Sequence, residues 1–207
     1  MITARHHWLI KPFFDFYTCW QVKRHFYSVR IVGESHDSGL PLLVVANHVG
    51  WWDGFWINYL NLHNYGRRFH FMMLERQLRR FWFFRFAGGF SVNPGHRRVI
   101  ETLRYAASLL SNHGNMVLVF PQGQMRSSYD AHIRFQKGLA QIIRHLSEPV
   151  QMLFVVNLFD YADSPKPLLT IYVKNYALQM NCIDHIESDY RCFYDECLTR
   201  QINCQPS

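Results

Sequence analysis

Two short stretches of the chain carry side chains able to move a proton and to hold an anion. In "PLLVVANHVGWWDG", residues 41–54, an apolar run ends in Asn47 and His48, and Asp53 follows five positions after the histidine. Residues five apart share neither a helix face, which wants three or four, nor a strand face, which wants an even number. They meet only if the chain turns between them, and Gly50 with the helical pattern after Trp52 supplies that turn. A histidine held by a carboxylate is the arrangement of a general base: the acid fixes the tautomer and stabilises imidazolium while the other ring nitrogen takes the proton. Spacing alone is cheap among twelve histidines. His70 with Glu75 and His96 with Glu101 repeat the gap, but within or beside one strand and one helix, with no comparable turn. The plainer alternative is a structural histidine whose hydrogen bonds are satisfied.

The second stretch, "VLVFPQGQMRS", residues 117–127, also leaves a strand pattern and opens into a turn carrying Gln122, Gly123 and Arg126. Glycine allows close backbone approach to a ligand, and the planar fork of an arginine suits a phosphate or carboxylate.

Positioning both stretches requires strand ends side by side. Short apolar runs predict strands over 28–32, 42–46, 69–74, 90–92, 116–120, 152–158 and 168–173. Helical spacing predicts helices over 52–62, 77–86, 97–111 and 135–146, with a last helix of mixed faces over 184–202. The alternation implies an α/β domain whose largely parallel, mixed sheet of about seven strands is flanked by helices. In such sheets ligands sit at the carboxyl ends of strands. "YADSPKP", 161–167, reads as a turn between two strands.

Ahead of the domain, "HHWLIKPFFDFYTCWQVKRHF" sets Lys11, Asp15 and Thr18 at helical spacing, leaves a wide aromatic face, and ends in Lys23, Arg24 and His25. The pattern predicts an amphipathic interfacial helix, giving a membrane-interface segment over 1–27 and an α/β domain over 28–207. A helix simply packed on the body is the alternative.

Composition narrows the partners. An aromatic share of 16% beside 22 Lys+Arg against 15 Asp+Glu suits an anionic membrane surface or single-stranded nucleic acid. No apolar run approaches the ~20 residues of a membrane span. Five cysteines without a C-x-x-C pair indicate neither a disulfide framework nor a zinc ribbon, which fits a reducing cytosol. No His-x-His or His-Glu-x-x-His cluster occurs, so no metal ligands are expected and a metal-dependent hydrolase is disfavoured.

Taken together the two stretches resemble the glycerolipid acyltransferases of the 1-acylglycerol-3-phosphate type. Asn47, His48 and Asp53 match that family's Asn-His and Asp block, and Phe120, Pro121, Gln122, Gly123, Arg126 and Ser127 resemble its Phe-Pro-Glu-Gly-Thr-Arg-Ser block. "GGFSVNPGHRR", 88–98, is similar to the block between them, and Phe135, Lys137 and Gly138 to its Phe-x-Lys-Gly helix start. The resemblance runs from about residue 28 to 173. Gln122 departs from the usual glutamate, an extra residue precedes Arg126, Asn93 and Pro94 stand where an acid and an arginine are common, and a second proline is lacking after Pro149. As the family assigns its blocks, these departures fall on the acyl-acceptor side.

The resemblance implies transfer of a fatty acyl group from acyl-CoA or acyl carrier protein, as co-substrate rather than cofactor, to a hydroxyl of a lysophospholipid-type acceptor. His48 would be the base and Asp53 its orienting acid. Asn47, Arg97, Arg98, Gln122, Gly123, Arg126 and Lys137 would bind substrate, the arginines holding the acceptor's phosphate and backbone amides near Gly123 stabilising the oxyanion. The expected partners are a membrane surface, a lysolipid and the acyl carrier, not nucleic acid. The expected setting is phospholipid metabolism at the cytoplasmic face of a membrane, with peripheral attachment. The rival expectation is a catalytically inactive, membrane-binding member of the same fold, for which Gln122 is the best support.

Overall fold

In the computed structural model, which describes residues 1–95, 98–127, 130, 133–161, 163–178 and 184–203, the predicted strand runs form one sheet. Its strands are β1 (Ser28–Val32), β2 (Leu42–Ala46), β3 (Arg68–Leu74), β4 (Gly89–Val92), β5 (Asn115–Val119), β6 (Gln151–Asp160) and β7 (Leu168–Tyr176). They lie in the order β1-β7-β6-β2-β5-β3-β4. "LLVVA" in β2 and "NMVLV" in β5 are buried at every residue. Both are covered on two faces, which is why they read as unbroken apolar runs instead of alternating ones. The chain reverses between β6 and β7, which pair antiparallel, while β1 pairs parallel with β7. These two strands therefore run against the other five.

Helices cover both faces. α1 (Ile10–His25) and α2 (Asp53–Asn64) pack on one, where Val22, Phe26, Trp56 and Ile57 meet Val44, Leu118 and Val155. On the other, α4 (Val99–Leu109), α5 (Gly138–Arg144) and α6 (Ile186–Asn203) set Leu103, Ile142 and Tyr190 against Leu43, Val117 and Phe154.

Two helices differ from expectation for identifiable reasons. The single helix expected over 77–86 divides into α3 (Glu75–Arg80) and a 3-10 helix, Trp82–Ala87, with Phe81 between them at φ −112, ψ 57. The run Trp82 to Phe86 has no 3.6-residue period to sustain an α-helix. Three residues per turn instead bury Phe84 and leave Trp82 62% exposed. The helix expected over 135–146 begins only at Gly138, because the Gln136 N–H donates to the Pro121 carbonyl at 2.7 Å and ties this segment to the turn after β5.

α1 is turned inside out. Its polar stripe faces the protein: Thr18 is 1% exposed, and the Asn58 side-chain amide donates to Thr18 Oγ1 at 3.2 Å and to Asp15 Oδ1 at 3.3 Å. Its aromatic face is bare, with Phe13 61%, Phe16 69% and Trp20 44% exposed. The segment before it is strapped to the body by Ile2 N–H to Ser91 Oγ (2.7 Å) and Arg5 N–H to the Arg85 carbonyl (2.9 Å).

Candidate active site

β2 is the central strand, and His48 follows it by two residues, beside the end of β5. The chain turns at Gly50 and enters α2, which brings Asp53 back to the histidine: Nδ1 donates to Asp53 Oδ2 at 2.8 Å. The carboxylate is acceptor-only, so the proton is assigned to Nδ1 and Nε2 is the ring nitrogen left for a substrate. The same oxygen accepts from the Val49 N–H at 2.6 Å and the Gly50 N–H at 3.0 Å. Asp53 is wholly buried in the first turn of α2, where the helix dipole favours negative charge. The carboxylate oxygen is thus held by three donors.

The turn after β5 grips His48 from its other side. Phe120 stacks on the imidazole, with ring centroids 4.1 Å apart and planes 9° from parallel. The Gln122 side-chain carbonyl accepts from the His48 N–H at 2.8 Å, and the Arg126 N–H donates to the His48 carbonyl at 2.9 Å. The residue that departs from the family pattern is therefore buried against the histidine backbone rather than directed at an acceptor. Gly123 closes the turn through its N–H to the Phe120 carbonyl at 3.1 Å and takes φ 70, a left-handed conformation. A Cβ there would lie 2.9 Å from Gln136 Cγ, so glycine is required twice over.

The structure thus gathers Asn47, His48, Asp53, Gln122, Gly123 and the backbone of Arg126. Asn47 is buried with both ends of its amide engaged: Nδ2 donates to the Asn157 carbonyl at 3.0 Å, and Oδ1 accepts the Asn157 N–H at 2.8 Å. The Arg126 guanidinium is half-exposed, 3.9 Å from Asp130. Arg98 precedes α4 and Lys137 precedes α5, both exposed, while Arg97 lies outside the described residues, as does His96. The competing His70 and Glu75 do not pair. Glu75 binds Arg79 at 2.7 Å, and His70 is buried, which holds its pKa down to about 3.

A cavity of about 120 Å³ opens beside His48, between α1, α2 and β3. Phe71, Met72, Phe84 and Phe120 make its apolar walls, and Asp15, Thr18 and Asn58 put polar groups where it meets α1. Along β3 it reaches from Met73 to Phe69, roughly 13 Å at strand rise. Sequence reasoning passed over Phe120 as a site residue and left Trp51, which lines the cavity, unassigned. The parity of β5 was the available signal for Phe120: Val119 faces the α4 side, so its neighbour faces His48.

Among the described residues no group of three or more His, Cys, Asp or Glu side chains is placed to hold a metal ion, and no helix is long and apolar enough to cross a membrane.

The α/β domain thus carries a His–Asp pair and a Phe-Pro-x-Gly turn at adjacent strand ends. The sequence profile described as Acyltransferase matches residues 28–156, and the chain belongs to that family, the glycerolipid-type acyltransferases its motifs resemble. No curated protein matches it significantly.

Proposed function

We propose that the protein moves a fatty acyl group from acyl-CoA or acyl carrier protein to a hydroxyl of a lysophospholipid-type acceptor, with His48 as general base. The observation that carries this reading is the 2.8 Å bond from His48 Nδ1 to a fully buried Asp53, beside a cavity walled mainly by apolar side chains. In the proposed reaction Nε2 takes the proton as the acceptor oxygen attacks the thioester carbonyl. The tetrahedral intermediate then expels the thiolate, which recovers that proton from the imidazolium, so no covalent enzyme intermediate is needed. Asp53 stabilises the imidazolium and holds the ring. Asn47 and Gln122 serve by fixing His48, through β6 and through its own N–H respectively. Arg126, with Arg97, Arg98 and Lys137, supplies cations for the acceptor's phosphate.

The bare aromatic face of α1 and the exposed Trp82 support attachment to the membrane in which such an acceptor resides, at its cytoplasmic face. Residues 1–27 are the interfacial segment in this reading, and 28–207 the catalytic domain. The rival, an inactive membrane-binding relative, rests on Gln122. That side chain still supplies an acceptor to the His48 N–H, and the His–Asp pair is intact.

The test is thiol release from an acyl thioester in the presence of membranes. His48→Ala is expected to lower it by about 10²–10⁴-fold while vesicle binding persists. Equal thiol release by the variant would remove His48 as the base.

A further inference from the structure

A second concavity, of about 450 Å³, lies outside the first and opens along the bare face of α1. Ile10, Phe13 and Tyr17 form one bank, Phe81 and Phe83 the other, and Trp52 closes one end; no charged residue lines it. The two cavities share a wall: Phe14, Trp51, Phe55 and Phe84 line both. The chain therefore has two cavities side by side, separated by an aromatic partition that begins three residues after His48, at Trp51.

We infer that the outer groove binds the hydrocarbon chain of the acyl acceptor, a single-chain amphiphile with an anionic phosphate head, while the inner cavity holds the acyl chain of the donor. The inference rests on the acyl-transfer reading above. Three observations assign the groove. It lies next to the reaction site, because Trp51 lines both the groove and the cavity that contains His48, and an acceptor whose hydroxyl must reach His48 requires that proximity. It opens on the aromatic surface of α1, so a chain can slide in from a bilayer, whereas a water-borne donor gains nothing from that entrance. Its rim carries a cation: the Arg80 guanidinium sits 5.3 Å over the Phe81 ring. A guanidinium beside an uncharged trough complements a molecule with an anionic head and an apolar tail. The partition also gives Trp51 a role, keeping two chains apart while both reacting ends meet at the histidine.

The test uses the full chain and monoalkyl phosphates of increasing length, kept below their aggregation concentration, with a bromine on the chain to quench tryptophan fluorescence. Affinity is expected to rise about threefold to fourfold per methylene until the chain outgrows the groove. Phe83→Ala, on the outer bank only, is expected to flatten that dependence, whereas Phe71→Ala, which lines only the inner cavity, is expected to leave it and instead alter the dependence of thiol release on donor chain length. Phe13→Ser on the opposite bank is a second outer variant should Phe83→Ala fail to fold. Affinity that does not vary with chain length, or a dependence flattened by Phe71→Ala and not by the outer variants, would overturn the inference. Acyl transfer with such a flat dependence would remove the groove and leave the catalysis. The expected binding pattern without acyl transfer would remove the catalysis and leave the groove a site for single-chain phosphates.

Discussion

α1 and α4 are both amphipathic and both cover the sheet, yet they present opposite sides to it. α4 turns Leu103, Ala106 and Ala107 inward and leaves Glu101, Arg104 and Ser108 outside. α1 turns Thr18 and Asp15 inward, to Asn58 of α2, and leaves Phe13, Phe16 and Trp20 in the open. In water each exposed large apolar side chain forgoes about 1.5–3 kcal/mol of possible burial. In the membrane-bound reading proposed above, the bare face meets the bilayer, while Asp15 and Thr18 of the polar stripe line the cavity beside His48. The contrast teaches that amphipathicity fixes which residues share a face, while the neighbouring element fixes which face is the inner one. Here α2 meets the inner face with Asn58, which bonds Thr18 and Asp15.

Truncating the conventional side should unsettle the fold and little else. Ile142→Ala, in the α5 layer with no exposed surface, is expected to lose about 2–5 kcal/mol in denaturant unfolding. A loss well below 1 kcal/mol would mean that the α4–α6 face is not the tight core described, and the contrast would fail there.

Acid probes the strap that leads into α1. His6 packs edge-on against His70 with centroids 4.7 Å apart, and burial lowers the pKa of both, His70 from the ordinary 6.5 to about 3. The folded state thus refuses protons that the unfolded chain accepts. The contribution to stability is whole above about pH 6.5 and is lost as pH falls toward 3. Stability is expected to drop by roughly 4 kcal/mol over that window, and less steeply in His70→Phe. Identical pH profiles for the two proteins would separate the histidines from the anchoring of α1.

The smallest expected effect isolates the bare face itself. Phe16→Ser is expected to weaken binding to anionic vesicles by about tenfold, with unfolding free energy changed by less than about 0.5 kcal/mol. Should the same substitution lower stability and leave vesicle binding alone, Phe16 belongs to a packed surface and α1 is an ordinary helix.

Much of this was legible in the sequence. β2 and β5 read out because buried parallel strands are short unbroken apolar runs, and His48 with Asp53 read out because a strand, a glycine turn and a helix follow one another around the pair. What did not read out depends on neighbours distant in the chain. The bond from the His48 N–H to Gln122 exists because β2 lies next to β5, which no local pattern states. The facing of α1 depends on Asn58, forty residues from Thr18. The break at Phe81 arises because five successive bulky or basic residues offer no helical period to follow.

The reversal of β1 and β7 also acts as a routing device. Because β1 runs against β2, its first residue stands at the edge where the catalytic strands finish, and Tyr27 just before it donates its N–H to the Pro167 carbonyl at 2.9 Å. The helix that feeds β1 is delivered to that edge, with His25 beside Trp52. Had the sheet been parallel throughout, the same helix would arrive at the far rim, a strand's length from the histidine. One hairpin thus decides that α1 and its bare aromatic face stand at the same end of the sheet as His48.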